Sequence, residues 1–170
     1  MNSNEELKKE ILKQRVKQVK ITKDTSVADL VESMSDMSIQ ARNIGQCAQV
    51  LKNLYADKDR PTVFLGLAGP LIAAGLRKVI RDLVVAGAVD VIVSTGAIIY
   101  QDIYAAFGHG HFKGSPSADD SALYDLQLDR IYDTYIDEEK VEQTDRFCKE
   151  VADEMPPGNY SSRAYLEILA

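Results

Sequence analysis

Cysteine is scarce in this sequence: 170 residues contain two, Cys47 and Cys148. They stand far apart and form no CxxC pair, which indicates neither a zinc site nor a disulfide framework. Both fall in helical patterns, and the expectation is that both are buried thiols. An excess of positive charge is missing too. With 20 Lys and Arg against 26 Asp and Glu, the net charge is −6, which argues against a nucleic-acid surface. No apolar run reaches membrane-spanning length, and the opening Asn2-Ser3-Asn4-Glu5-Glu6 has no signal-peptide character. The sequence therefore reads as cytoplasmic, without nucleic-acid or membrane partners. Internal repeats and low-complexity tracts are absent as well. What remains is ordinary for one globular domain with a hydrophobic core, 45% hydrophobic and 27% charged.

The chain is organised around residues 62–102. A β-branched and aromatic run, Thr62-Val63-Phe64-Leu65, ends in the small-residue turn Gly66-Leu67-Ala68-Gly69. Pro70 suits the first turn of a helix, where its missing N–H costs nothing. Leu71, Ile72, Leu76, Val79, Ile80, Leu83 and Val84 then recur at helical spacing. Gly87 ends that helix, and residues 89–93 form a second β-type run closing at Ser94-Thr95-Gly96-Ala97. This is a strand–helix–strand unit, and a right-handed crossover makes its strands parallel. In such sheets ligands bind beyond the carboxyl ends of strands, where helix N-termini offer N–H groups and a positive dipole. Two glycine-bearing turns on one edge suit a phosphorylated or dinucleotide ligand. The sequence GLAG is not the GxGxxG fingerprint, however, and no acid closes the second strand to meet a ribose. Glycines that merely let a strand turn tightly into a helix give the same pattern, and spacing leaves both readings open.

Elsewhere the pattern is helical. Residues 1–24 read as a charged N-terminal helical arm, in which the basic run 8–20 offers a surface for an acidic partner or simply a solvated face. Asp24-Thr25-Ser26 supplies capping residues. The Met-bearing stripe from Val27 to Leu54 reads as core, in two helices if Ser35-Asp36 or Gly45 interrupts it. Residues 98–107 read as a short helix on the sheet. Gly108-His109-Gly110-His111 would suit a metal only if further ligands converged, and no metal site is expected. Asp119 and Asp120 sit near the start of a helical turn. Residues 130–136 alternate as a strand, and acids at 137–139 open a helix to about Met155. Pro156-Pro157-Gly158-Asn159 stops it, and Ser161-Ser162 caps a last helix.

FLGLAGPLIAAGLRKVIRDLV, then VDVIVSTGA and Asp102, resembles the deoxyhypusine synthase family, most closely its archaeal and bacterial branch. The agreement continues through His111-Phe112-Lys113-Gly114, Leu128-Asp129-Arg130-Ile131-Tyr132-Asp133 and Tyr160-Ser161-Ser162-Arg163. Upstream, Val27-Ala28-Asp29-Leu30-Val31 and Ala41-Arg42-Asn43 fit too. The resemblance implies an α/β, doubly wound, mostly parallel sheet with flanking helices, Rossmann-like and NAD-binding. Residues 25–170 would be the N-terminal part of that single domain, truncated relative to the family. It implies a homotetramer, NAD as cofactor, and spermidine as donor of an aminobutyl group. That group passes through an enzyme-lysine imine to a lysine of a translation factor precursor. In the family the two strand-end turns contact NAD. Here that role falls on Gly69, Leu71 and Ile72, and on Thr95, Gly96 and Ala97, with Asp102 matching an acid close to the site.

Two departures accompany the match. Tyr100 and Gln101 stand where the eukaryotic branch has two glutamates, which help hold the cofactor or the cationic polyamine. The family's chain also continues well past position 170, and its nucleophilic lysine, tryptophan and tunnel acids belong to that further part. No tryptophan occurs here, and Lys113, Lys140 and Lys149 lie outside the family's catalytic context. The expectation is a chain inactive alone, completed by a companion chain or within a homo-oligomer. Two alternatives stay open: homospermidine synthase-like transfer to putrescine, and a noncatalytic NAD-binding or assembly subunit.

Overall fold

The structure, a computed structural model, describes residues 2–170. The chain divides into two compact units, Met1–Pro61 and Thr62–Ala170. Among the described residues no helix is long and apolar enough to cross a membrane.

The first unit is helical. Helix α1 spans Asn2–Ile11, α2 Val27–Met34 and α3 Ile39–Ala56. Ser26 and Asp29 form a reciprocal capping box at the start of α2. Between α1 and α2 the chain runs without helix, pinned where Lys17 meets Asp36 through main-chain (3.0 Å) and side-chain (2.7 Å) contacts. The stripe from Val27 to Leu54 is indeed two helices, interrupted at Ser35-Asp36. Gly45 does not break α3; it lies buried where α2 and α3 meet, and a Cβ there would stand 2.1 Å from the Ser35 nitrogen. The core reading of that stripe fails at Val27 and Ile39, which are 79% and 80% exposed. A two-helix hairpin has one inner face, too narrow to cover every apolar position. Cys47 is exposed on α3 for the same reason. Cys148 is half-buried, and burial pushes its thiol up, with the charge of Asp145 adding to the shift.

The second unit holds both sheets. Strands β1 (Phe64–Leu67) and β2 (Val91–Ser94) pair in parallel, from Phe64 opposite Val91 to Leu67 opposite Ser94. Asp90 aligns the strand starts: its carboxylate accepts from Val63 N–H at 2.9 Å, and its own N–H donates to Val63 O at 3.0 Å. The expected crossover helix is present but not continuous. It opens as a π-helical turn, Ile72–Leu76, and becomes α4, Arg77–Val85, only after Gly75 at φ +88°. Leu76 N–H accordingly reaches back five residues, to Leu71 O. Gly87 ends α4 at φ +66°, with Ala88 N–H on Leu83 O and Gly87 N–H on Val84 O. Helix α5, Gly96–Ala106, follows β2.

The remaining strands form an antiparallel sheet in the order β3 (Phe112–Lys113), β5 (Thr134–Asp137), β4 (Leu128–Ile131). The single strand expected over 130–136 is a hairpin that turns at Tyr132 and Asp133, with Tyr132 at φ +57°. No glycine marks this turn, and the polar–apolar alternation runs straight through it. Helix α6 (Asp120–Asp125) precedes the hairpin, α7 (Glu138–Glu154) follows it, and α8 (Ser162–Leu169) packs on α7. The α/β class is therefore as the sequence indicates, with two small sheets, one parallel and one antiparallel. The buried cluster Leu67, Ile72 and Ile98, flanked by Leu65, Leu71 and Ile80, lies directly beneath the carboxyl ends of β1 and β2.

Candidate functional site

The register of β1 and β2 decides where the candidate residues stand. Leu67 and Ser94 are paired, so the turns that follow them leave the same sheet edge side by side. Thr95 N–H donates to Leu67 O at 3.2 Å and holds the second turn against the first strand. Gly69, Leu71 and Ile72 are thereby brought together with Thr95, Gly96 and Ala97. Gly66 belongs to β1 rather than to the turn. Gly69 has φ +76°, a conformation that favours glycine.

Both turns feed segments whose first N–H groups lack intrahelical partners. Four helices cap themselves, with Ser26, Asp119, Asp137 and Ser161 each accepting an N–H through its side chain. Thr95 has the residue type and extended backbone of a cap, yet its side chain makes no such bond. The start of the π-helical turn is likewise uncapped, as is α3. A Cβ built on Gly66, Gly69 or Gly96 would meet nothing within 4 Å. Packing within the chain therefore gives no reason for glycine at 66 or 96. A ligand backbone or phosphate coming close to the turns does give one. The residues present thus fit a phosphate-bearing cofactor.

Helix α5 carries the neighbouring polar residues. Tyr100 donates its hydroxyl to Val141 O on α7 at 2.8 Å, and burial, reinforced by Asp145, pushes its phenol up. Gln101 is buried and accepts from Ala73 N–H at 3.1 Å. Asp102 takes Arg77 Nε on one carboxylate oxygen at 2.5 Å. Tyr100 and Gln101 thus serve internal contacts. Sequence reasoning missed both the Gln101–Ala73 and the Arg77–Asp102 contacts, because residues 25 or more apart leave no periodic signal.

The histidines pack against aromatic rings. The rings of His109 and His111 lie 5.0 and 5.2 Å from that of Tyr104, and His109 also stacks on Phe107. Among the described residues, no group of three or more His, Cys, Asp or Glu is placed to hold a metal ion. Lys140 and Lys149 engage Gln143 and Asp153 on their own helix.

Comparison with known proteins places the chain in a family. The deoxyhypusine synthase family model matches residues 29–170. A deoxyhypusine synthase-like protein of Chlorobaculum parvum is 47% identical over 156 residues, covering 91% of this chain and 44% of the relative. One from Coxiella burnetii is 37% identical over 161 residues, covering 94% and 45%. A probable deoxyhypusine synthase 2 of Methanosarcina mazei is 35% identical over 147 residues, covering 86% and 42%. The chain spans less than half the length of these relatives.

Proposed function

This chain belongs to the deoxyhypusine synthase family, and on that premise we propose that it is the cofactor-binding part of an NAD-dependent aminobutyltransferase. In this reading the sheet is part of a doubly wound, Rossmann-like domain working in the cytoplasm. Gly69, Leu71 and Ile72 present one turn to NAD, and Thr95, Gly96 and Ala97 present the other. The free N–H groups and helix dipoles favour the pyrophosphate, and Asp102 stands further along α5. NAD supplies the hydride acceptor that converts a polyamine amine to an imine, from which an aminobutyl group is transferred. The observation that carries the reading is the pairing of Leu67 with Ser94, which sets two glycine-bearing, uncapped helix starts side by side.

The lysine that carries the aminobutyl group in the family is not among residues 1–170, and transfer requires the further part of the enzyme that carries it. The β1–β2 sheet suits assembly with a companion chain or within a homo-oligomer, since Phe64 and Val93 are 66% and 61% exposed. Protein purified from its native source, with whatever chain accompanies it, should transfer label from spermidine to a lysine of a translation factor precursor. Label appearing only on putrescine favours a second reading, homospermidine synthase-like transfer, for which Tyr100 and Gln101 speak because neither offers a carboxylate to a polyamine. Assembly and NAD binding without any transfer would leave a noncatalytic subunit.

A further inference from the structure

We propose that Gln101 and Asp102 are positioning residues that clamp the π-helical turn onto α5, so that the two strand-end turns form a single ligand cradle. The ligand part of this proposal rests on the NAD reading above; the clamp itself rests on geometry. Glutamine is seldom buried without a partner, and Gln101 is only 8% exposed. Its Oε1 accepts from Ala73 N–H, and the adjacent Asp102 holds Arg77. Ala73 and Arg77 lie two residues before and two residues after Gly75, whose φ of +88° breaks the helix. Two neighbouring side chains of α5 therefore bracket the kink at Gly75 between the first turn and α4.

The clamp also selects which donors the first turn offers. Pro70 has no N–H, Ala73 donates to Gln101, Ala74 to Pro70 O and Leu76 to Leu71 O. Leu71 and Ile72 are among the N–H groups left for an anion, on a turn fixed relative to Thr95, Gly96 and Ala97 because α5 begins at Gly96. The Arg77–Asp102 pair is about half exposed, where an ion pair contributes little stability. Its value is geometric: it sets where the helix resumes after the kink.

The test combines hydrogen exchange of the 71–74 amides, NAD titration and thermal melting in the full chain. Gln101→Leu should speed exchange at Ala73 and weaken NAD about tenfold, the scale of one lost hydrogen bond. Gln101→Glu, which keeps an acceptor, should restore both. Arg77→Asp and Asp102→Arg should each weaken NAD, and the double swap should recover it, since only the pair and not the acid matters. Melting temperature should move little with the swap. Unchanged exchange in Gln101→Leu would overturn the clamp. Faster exchange with unchanged affinity would overturn its role in positioning. A double swap that fails to recover would make the Asp102 carboxylate itself a ligand group. Wild-type protein that binds no NAD, with exchange still responding to Gln101→Leu, would overturn the functional reading and the ligand role while leaving the contact intact.

Discussion

His111 shows how burial governs the chemistry of a single residue. Its Nε2 is buried without a hydrogen-bond partner among the described residues, and its ring faces Tyr104. Burial disfavours the imidazolium and lowers the pKa from its ordinary 6.5. The unfolded chain therefore takes up this proton at higher pH than the folded one. The contribution of His111 is fully present above about pH 6.5 and is lost as pH falls below that value. Urea midpoints at pH 7.5 and 5.5 should converge more closely in His111→Phe than in the wild type. Equal acid-side losses in both proteins would contradict this account. At this scale the sequence announced the glycines and Thr95, because turn chemistry is local. It did not announce the partners of Gln101 and Asp102, because those contacts arise only once α5 packs beside the π-helical turn.

Elements behave differently, since their boundaries depend on single close approaches. Gly45 was legible only as a possible break in a long helix. In the fold it is the contact point of α2 and α3, where a Cβ would meet backbone atoms of Ser35 and Met34. Backbone cannot swing aside as a side chain can, so Gly45→Ala should destabilise the helical hairpin by about 1–3 kcal/mol. Helical circular dichroism followed through urea reads the loss, and an unshifted midpoint would show that the helices separate freely. Ser26→Ala should cost about 1 kcal/mol in the same experiment, the usual value of an N-cap for the bond Ser26 accepts from Asp29 N–H. The hairpin at Tyr132-Asp133 and the π-helical turn escaped sequence reading for opposite reasons. Alternation continued across the first without a glycine to mark the turn, and Gly75 sat inside an apolar helical pattern that tolerates glycine.

At the largest scale, the described residues leave apolar surface of the parallel sheet uncovered. A parallel sheet is ordinarily buried on both faces, and two strands rarely stand alone. Here Phe64 on β1 and Val93 on β2 are mostly exposed. Sedimentation should therefore show the chain assembled with copies of itself or with a companion, and Phe64→Lys with Val93→Lys should weaken that association. A monomer unaffected by either change would remove the argument for assembly. The overall class was legible because strand, crossover and strand each carry their own periodicity. The expectation of assembly came from the family resemblance and not from local pattern, since exposure of an apolar residue depends on what the rest of the fold covers.

The central claim is that the turns after β1 and β2 hold NAD, and Gly96→Val tests it most directly. In the free chain nothing lies within 4 Å of a Cβ at Gly96, so the variant should fold and melt like the wild type. Calorimetric titration should show NAD binding to the wild type and at least a tenfold loss in Gly96→Val, where the side chain fills the space a phosphate needs. Equal affinity in the two proteins, or no binding by the wild type, would contradict the account.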